Sequence, residues 1–112
     1  MKRGEVYQVR FDPVKGSEQG GTRPAVIVTR DSVNKHSPVI MVTPFTDARN
    51  VTRHYPTDVR VQAPEGGLTV NSVALCVQTR VISKSRLLNL RGALSDEIMF
   101  QIDNALRITL NL

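Results

Sequence analysis

Gly16-Ser17-Glu18-Gln19-Gly20-Gly21-Thr22-Arg23-Pro24 runs directly into Ala25-Val26-Ile27-Val28, so a polar, glycine-rich loop opens onto a segment that belongs in a core. Gly20 and Gly21 can take backbone angles closed to other residues and let a ligand approach the main chain. Pro24 fixes its own φ and biases Arg23 towards extended backbone, which presents the guanidinium from a defined point. A planar, permanently charged fork at a strand entrance suits phosphate, because it donates two parallel hydrogen bonds. The residues alone also allow a plain surface loop with a solvated arginine.

A chain of 112 residues with 40% hydrophobic and 22% charged composition is long enough for one domain, 1–112, with its own core. Fifteen basic against ten acidic residues give a net charge of +5, which favours a polyanionic partner, either nucleic acid or an acidic protein segment. No run of apolar residues reaches the length of a membrane span. Met1-Lys2-Arg3-Gly4-Glu5 lacks the apolar stretch of a signal peptide. Cys76 is the single cysteine, too few for a disulfide framework or a zinc site. These features predict a cytoplasmic protein with no membrane contact. His36 and His54 lie in separate polar segments, which argues against acid–base chemistry by a histidine pair.

Alternation from Gly4 to Phe11 predicts a strand with Tyr7, Val9 and Phe11 on its apolar face. Pro24 to Thr29 predicts a strand buried on both faces. Arg30 to Pro38 reads as a connection with a short helical turn, and Val39 to Thr43 as a strand ended by Pro44. Phe45 to Pro56 reads as a long exposed loop, then Thr57 to Val61 alternates again. Pro64-Glu65-Gly66-Gly67 marks a turn, and Ser72 to Ile82 is the longest strand candidate. The period then changes. Ser95 is a plausible N-cap with Asp96 and Glu97 in the first turn, and Ile98, Ile102, Ala105, Leu106 and Thr109 form one apolar stripe. Short strands followed by one terminal helix imply a small twisted sheet, or partly closed barrel, covered by a helix.

The chain resembles the MazF/PemK family of toxin endoribonucleases. The resemblance rests on Arg3-Gly4-Glu5-Val6-Tyr7, the Gly16–Pro24 loop, Pro44-Phe45-Thr46, the run from Asn71 to Arg80, and Lys84-Ser85-Arg86-Leu87. It implies a mainly β, α+β fold: an SH3-like, largely antiparallel small barrel with a C-terminal helix. It also implies a homodimer, metal-independent and sequence-selective cleavage of single-stranded RNA to 2′,3′-cyclic phosphate and 5′-hydroxyl ends, no cofactor, and a cognate acidic antitoxin. The family's catalytic arginine falls on Arg23, its hydroxyl on Thr46 and its loop acid on Glu18. Ser17, Gln19, Gly20 and Gly21 fall in its substrate loop. Many members carry an acid immediately before the glutamine that falls on Gln78; here Val77 stands there.

RNA cleavage by its own 2′-hydroxyl needs a group to orient or accept the 2′ proton, a cation where phosphoryl charge develops, and a proton for the leaving 5′-oxygen. Arg23 suits the second role as an electrostatic clamp and is a poor proton donor. Thr46 can position but is no strong base. Glu18 is the nearest candidate base in sequence, or else a solvated loop acid. Phe45 and Tyr7 offer stacking surfaces or are core residues. Arg49, Arg53 and Arg60 could track the RNA backbone or be solvated charge, and Gln78 and Arg80 could reach substrate from a shared strand face. Two readings compete with the nuclease. One is a gyrase-binding toxin that resembles the CcdB type, and the other a noncatalytic RNA-binding module.

Overall fold

In the computed structural model, which describes residues 1–112 throughout, the chain forms seven strands and two helices. The strands are β1 (Glu5–Arg10), β2 (Thr22–Ile27), β3 (Val39–Asp47), β4 (Asp58–Val61), β5 (Ser72–Leu75), β6 (Arg80–Ser83) and β7 (Leu87–Ala93). Helix α1 (Asp31–His36) follows β2, and α2 (Asp96–Leu110) ends the chain. Every strand pair is antiparallel. The sheet runs β4-β5-β3-β2-β1-β7, with β6 against the other half of β3. The mainly β, α+β class with a C-terminal helix is therefore as expected. The sheet coils but stays open, since β4 and β7 are its two ends.

The seam between those ends is filled by backbone. The 3-10 turn Glu65–Gly67 packs against β7 so closely that a Cβ on Gly67 would lie 2.1 Å from the Arg91 carbonyl oxygen. Gly67 also has φ +74°, which side chains rarely adopt. Arg91 Nη2 donates to the Gly67 carbonyl at 3.0 Å and ties the turn in place.

Alternation along the strands divides the apolar residues between two clusters. Val6, Val26, Phe45, Val59, Val61, Ala74 and Cys76 pack beneath α2, which contributes Met99, Ile102 and Ala105. Val9, Phe11, Ala25, Ile27, Ile40, Val42 and Ile82 fill the opposite face of the coiled sheet. β2 thus buries Ala25, Val26 and Ile27 completely, as its continuous apolar run predicts. Helix α2 begins as expected: Ser95 Oγ accepts from the Ile98 N–H. Its buried stripe is Met99, Ile102 and Ala105, with Ile98 and Leu106 only partly covered. At the other end Asn111 adopts the left-handed conformation and closes the helix. No helix is long and apolar enough to cross a membrane.

Four boundaries differ from the sequence reading. Pro44 does not end β3, because the strand changes partner on one side there: β6 lies opposite residues 39–42 and β5 opposite 45–47. A proline is tolerated where that edge of the ladder is interrupted. For the same reason Ser72 to Ile82 is not one strand. Between Ala74, opposite Phe45, and Arg80, opposite Val42, the chain spends five residues where β3 spends two, and the surplus forms the 3-10 turn Cys76–Gln78. The exposed loop is shorter than expected, since Phe45 to Asp47 belong to β3 and Ala48–Asn50 is a 3-10 turn. Strand β7 carries no clear sequence signal, because its pairing with β1 is interrupted by register irregularities and Leu88 and Leu90 are both about half exposed, which blurs any period.

Gly67→Ala should lower stability by about 2–3 kcal/mol, since it combines a disallowed φ with backbone overlap; a denaturant titration checks this. Burial pushes the Cys76 thiol up to about 12, with Asp58 adding to the shift. At pH 8 only about one thiol in ten thousand is then ionised, so a disulfide reagent should label the folded protein far more slowly than the unfolded chain.

Candidate active site

Arg23 and Thr46 line one cavity of about 320 Å³, together with Asn50, Ser72 and Arg91. Each arrives from a different part of the fold. Arg23 is the second residue of β2, opposite Val9 of β1. Thr46 lies beyond the partner change in β3, opposite Val73 of β5.

The half-buried Arg23 guanidinium is held by two carbonyls: Nε donates to Gly20 O at 2.8 Å and Nη1 to Phe45 O at 3.2 Å. Of the five N–H groups of an arginine, three stay free. No carboxylate forms an ion pair with it. Desolvation lowers its pKa and the field of Asp12 opposes that shift, yet an arginine keeps its proton at ordinary pH. A preset cation with free donors and no ion-pair partner is a site for an anion.

Thr46 is 8% exposed, and its Oγ1 accepts from Asn50 Nδ2 at 3.2 Å. That bond leaves the hydroxyl proton free to donate. Arg91, absent from the sequence-based candidates, brings a second guanidinium to the cavity, where Nη1 also donates to Gln8 Oε1 at 2.9 Å. Nothing in the local sequence marks it; recognising β7 and its pairing with β1 would have placed it near β2.

The glycine-rich loop is fastened at its base. Phe11 N–H donates to Gly21 O at 2.9 Å, and Gly21, at φ +71°, donates its N–H to Asp12 Oδ1 at 2.9 Å. Arg86 Nη1 donates to the carbonyls of Arg10 and Asp12. Farther out the hold is lighter: Gln19 N–H reaches Gln78 Oε1, and Gln78 Nε2 reaches Ser17 O, both at 3.4 Å. Gln78 thus touches the loop from the Cys76–Gln78 turn and not from a strand face shared with Arg80. Arg80 instead places its guanidinium 5.6 Å from the centre of the Phe11 ring.

Other candidates do not converge on Arg23 and Thr46. Glu18 is exposed, and its carboxylate accepts from Lys15 N–H within the loop. Phe45 is 1% exposed with its ring in the core, so only its carbonyl faces the site. Arg49 is paired with Asp47, whose carboxyl is held low by that arginine. Arg53 is exposed on the Val51–Thr57 loop. That loop is itself organised by Arg60, which donates to His54 Nδ1 at 3.0 Å and to the carbonyls of Val51 and Arg53. Tyr7 packs against the second cluster, and burial raises its pKa. No group of three or more His, Cys, Asp or Glu side chains converges in the chain.

The chain is similar to known proteins over its whole length. The chain is 42% identical over 112 residues to the Endoribonuclease MazF of Staphylococcus epidermidis, covering all of this chain and 92% of that one. It superposes on the Mycobacterium tuberculosis toxin MazF-mt6 with a TM-score of 0.80 at 26% identity, covering 96% and 97% of the two chains. It shares the fold of a mycobacterial endoribonuclease solved in complex with its cognate antitoxin, at a TM-score of 0.83 and 22% identity, covering 100% of this chain and 96% of that one. Residues 2–110 match the family described as PemK-like, MazF-like toxin of type II toxin–antitoxin system. With an uncountered arginine, a buried threonine and a glycine-rich loop gathered in the frame shared by these relatives, the chain belongs to the PemK-like, MazF-like toxin family.

Proposed function

We propose that this toxin-family endoribonuclease cuts single-stranded RNA without a metal, by in-line attack of the 2′-hydroxyl on the adjacent phosphorus at the Arg23–Thr46 cavity. The observation that carries the reading is the half-buried Arg23 guanidinium, with three free N–H groups and no ion-pair partner. The new bond joins the 2′-oxygen to phosphorus and the bond to the 5′-oxygen breaks, leaving a 2′,3′-cyclic phosphate and a 5′-hydroxyl. Arg23 offsets charge on the non-bridging oxygens as it develops. Thr46, oriented by Asn50, donates a hydrogen bond from its hydroxyl to a phosphate oxygen and holds the group in line. Arg91 adds positive field at the far wall. Glu18 takes the 2′ proton after leaving Lys15 N–H, a movement favoured by the light hold of Gln78 on the loop. Water protonates the leaving oxygen.

Ser17, Gln19, Gly20 and Gly21 contact the RNA on the loop side, and Arg53 and Gln78 on the side of the Val51–Thr57 loop. Cleavage of messenger RNA would inhibit translation and growth. The toxin acts in the cytoplasm as a homodimer and is neutralised by an acidic antitoxin. A net charge of +5 supports that partner, and so do relatives solved with their antitoxins, including the MazE–MazF pair of Deinococcus radiodurans.

With a long, weakly structured RNA in excess EDTA, wild type should give discrete fragments with 5′-hydroxyl ends. Arg23→Ala should lower the rate by about 10³-fold and Thr46→Ala by about 10²-fold, each with an unchanged melting curve. Wild-type cleavage by Arg23→Ala would overturn the mechanism. Glu18→Gln should slow the reaction by about 10²-fold with an unchanged melting curve. An unaltered rate would exclude Glu18 as the base.

A further inference from the structure

We propose that the groove between the Val51–Thr57 loop and the Cys76–Gln78 turn is a nucleobase pocket, in which Tyr55 stacks on a base and Asp58 selects one that carries an amino group. The proposal rests on the RNA-cleaving reading and adds which kind of base the protein takes beside the cut.

The groove has a volume of about 520 Å³, and its lining includes Asn50, Tyr55, Asp58, Leu75, Val77 and Gln78. It adjoins the Arg23–Thr46 cavity directly: Asn50 lines both, with its amide on Thr46 Oγ1. Gln78 forms part of the other wall and touches the glycine-rich loop. A nucleotide flanking a phosphate held by Arg23 therefore has this groove as an adjoining recess.

Two surfaces there are apolar and left in water. Tyr55 is 51% exposed and Val77 64% exposed. An exposed aromatic ring at the edge of an open groove is the usual platform for an unpaired base, whose face it covers. Asp58 lines the same groove as Tyr55 and is fixed in it, since its N–H donates to Tyr55 O at 3.0 Å across a turn at Pro56 and it pairs with Leu75 in the sheet.

The Asp58 carboxylate accepts no hydrogen bond from the protein and belongs to no ion pair, although burial raises its pKa. Arg60 opposes that shift only through its field, because its guanidinium is engaged with His54 and two carbonyls. A part-buried group that can only accept is thus open to donors brought by a ligand. Guanine, adenine and cytosine each offer an amino group on the pairing edge. Guanine adds N1–H beside it and matches both carboxylate oxygens. Uracil offers one N–H flanked by two carbonyl oxygens, which a carboxylate repels.

The test is cleavage of a random-sequence RNA pool, with the fragment ends sequenced. Wild type should disfavour uracil about tenfold at one position beside the cut. Asp58→Asn, which adds a donor, should erase or invert that preference at the same position and leave the others unchanged. Tyr55→Ala should slow cleavage about tenfold at every sequence without changing the motif. A substrate whose base at that position is replaced by a counterpart without the amino group (hypoxanthine for guanine or adenine, uracil for cytosine) should be cut about tenfold more slowly by wild type. This last measurement needs no variant to fold. An unchanged rate on the substrate without the amino group, or an identical motif from folded Asp58→Asn, overturns the pocket while cleavage itself stands. No cleavage by wild type, or equal cleavage by Arg23→Ala, overturns the RNA-cleaving reading and the pocket together.

Discussion

Strand β3 changes partner once, at Thr43 and Pro44, and the geometry of the site follows from that change. On one side of it β6 continues the sheet that contains β1 and β2; on the other β5 and β4 form a separate ladder. The chain joining β5 to β6 is longer than the stretch it spans, and a close-packed interior leaves no room for slack. The surplus becomes a 3-10 turn that drives Cys76 into the core and leaves Val77 and Gln78 outside. The same break puts Thr46 beyond β2, beside the open cavity that Arg23 enters from the end of its strand.

Electrostatics at the site follow from how that arginine is held. Its two protein partners are neutral carbonyls, so the bonds fix its direction without neutralising its charge. A carboxylate there would have stabilised the free protein more and bound an anion less. Two exposed arginines show the contrast: Arg49 is paired with Asp47, and Arg60 is spent on ordering its own loop. Similar residue types nearby thus serve different ends, according to whether an acceptor lies within reach.

The loop that carries the resemblance combines firm and loose parts. Gly21, Asp12 and Arg86 fix its base, and two long bonds from Gln78 restrain its tip. Strong anchoring at the base sets where Arg23 emerges. Weak anchoring at the tip lets Ser17 to Gln19 adapt to a ligand at small cost.

The sequence by itself determined the elements whose signals are local. These are the doubly buried β2, the capped terminal helix, the glycine-rich loop with its arginine pinned by Pro24, and the family that this loop announces. Steric restriction, capping and side-chain period act over a few residues and are legible there. The tertiary structure decided what depends on partners distant in the chain. It carried β3 through Pro44, broke Ser72 to Ile82 into two strands, and formed β7 from a stretch with half-exposed leucines. It also withdrew the Phe45 ring into the core, turned Glu18 back on its loop, and brought Arg91 and Asp58 to cavities that no local pattern marks. Register between strands and the fit of one surface against another are properties of the assembled sheet, and a residue's neighbours in space are fixed only when that sheet coils.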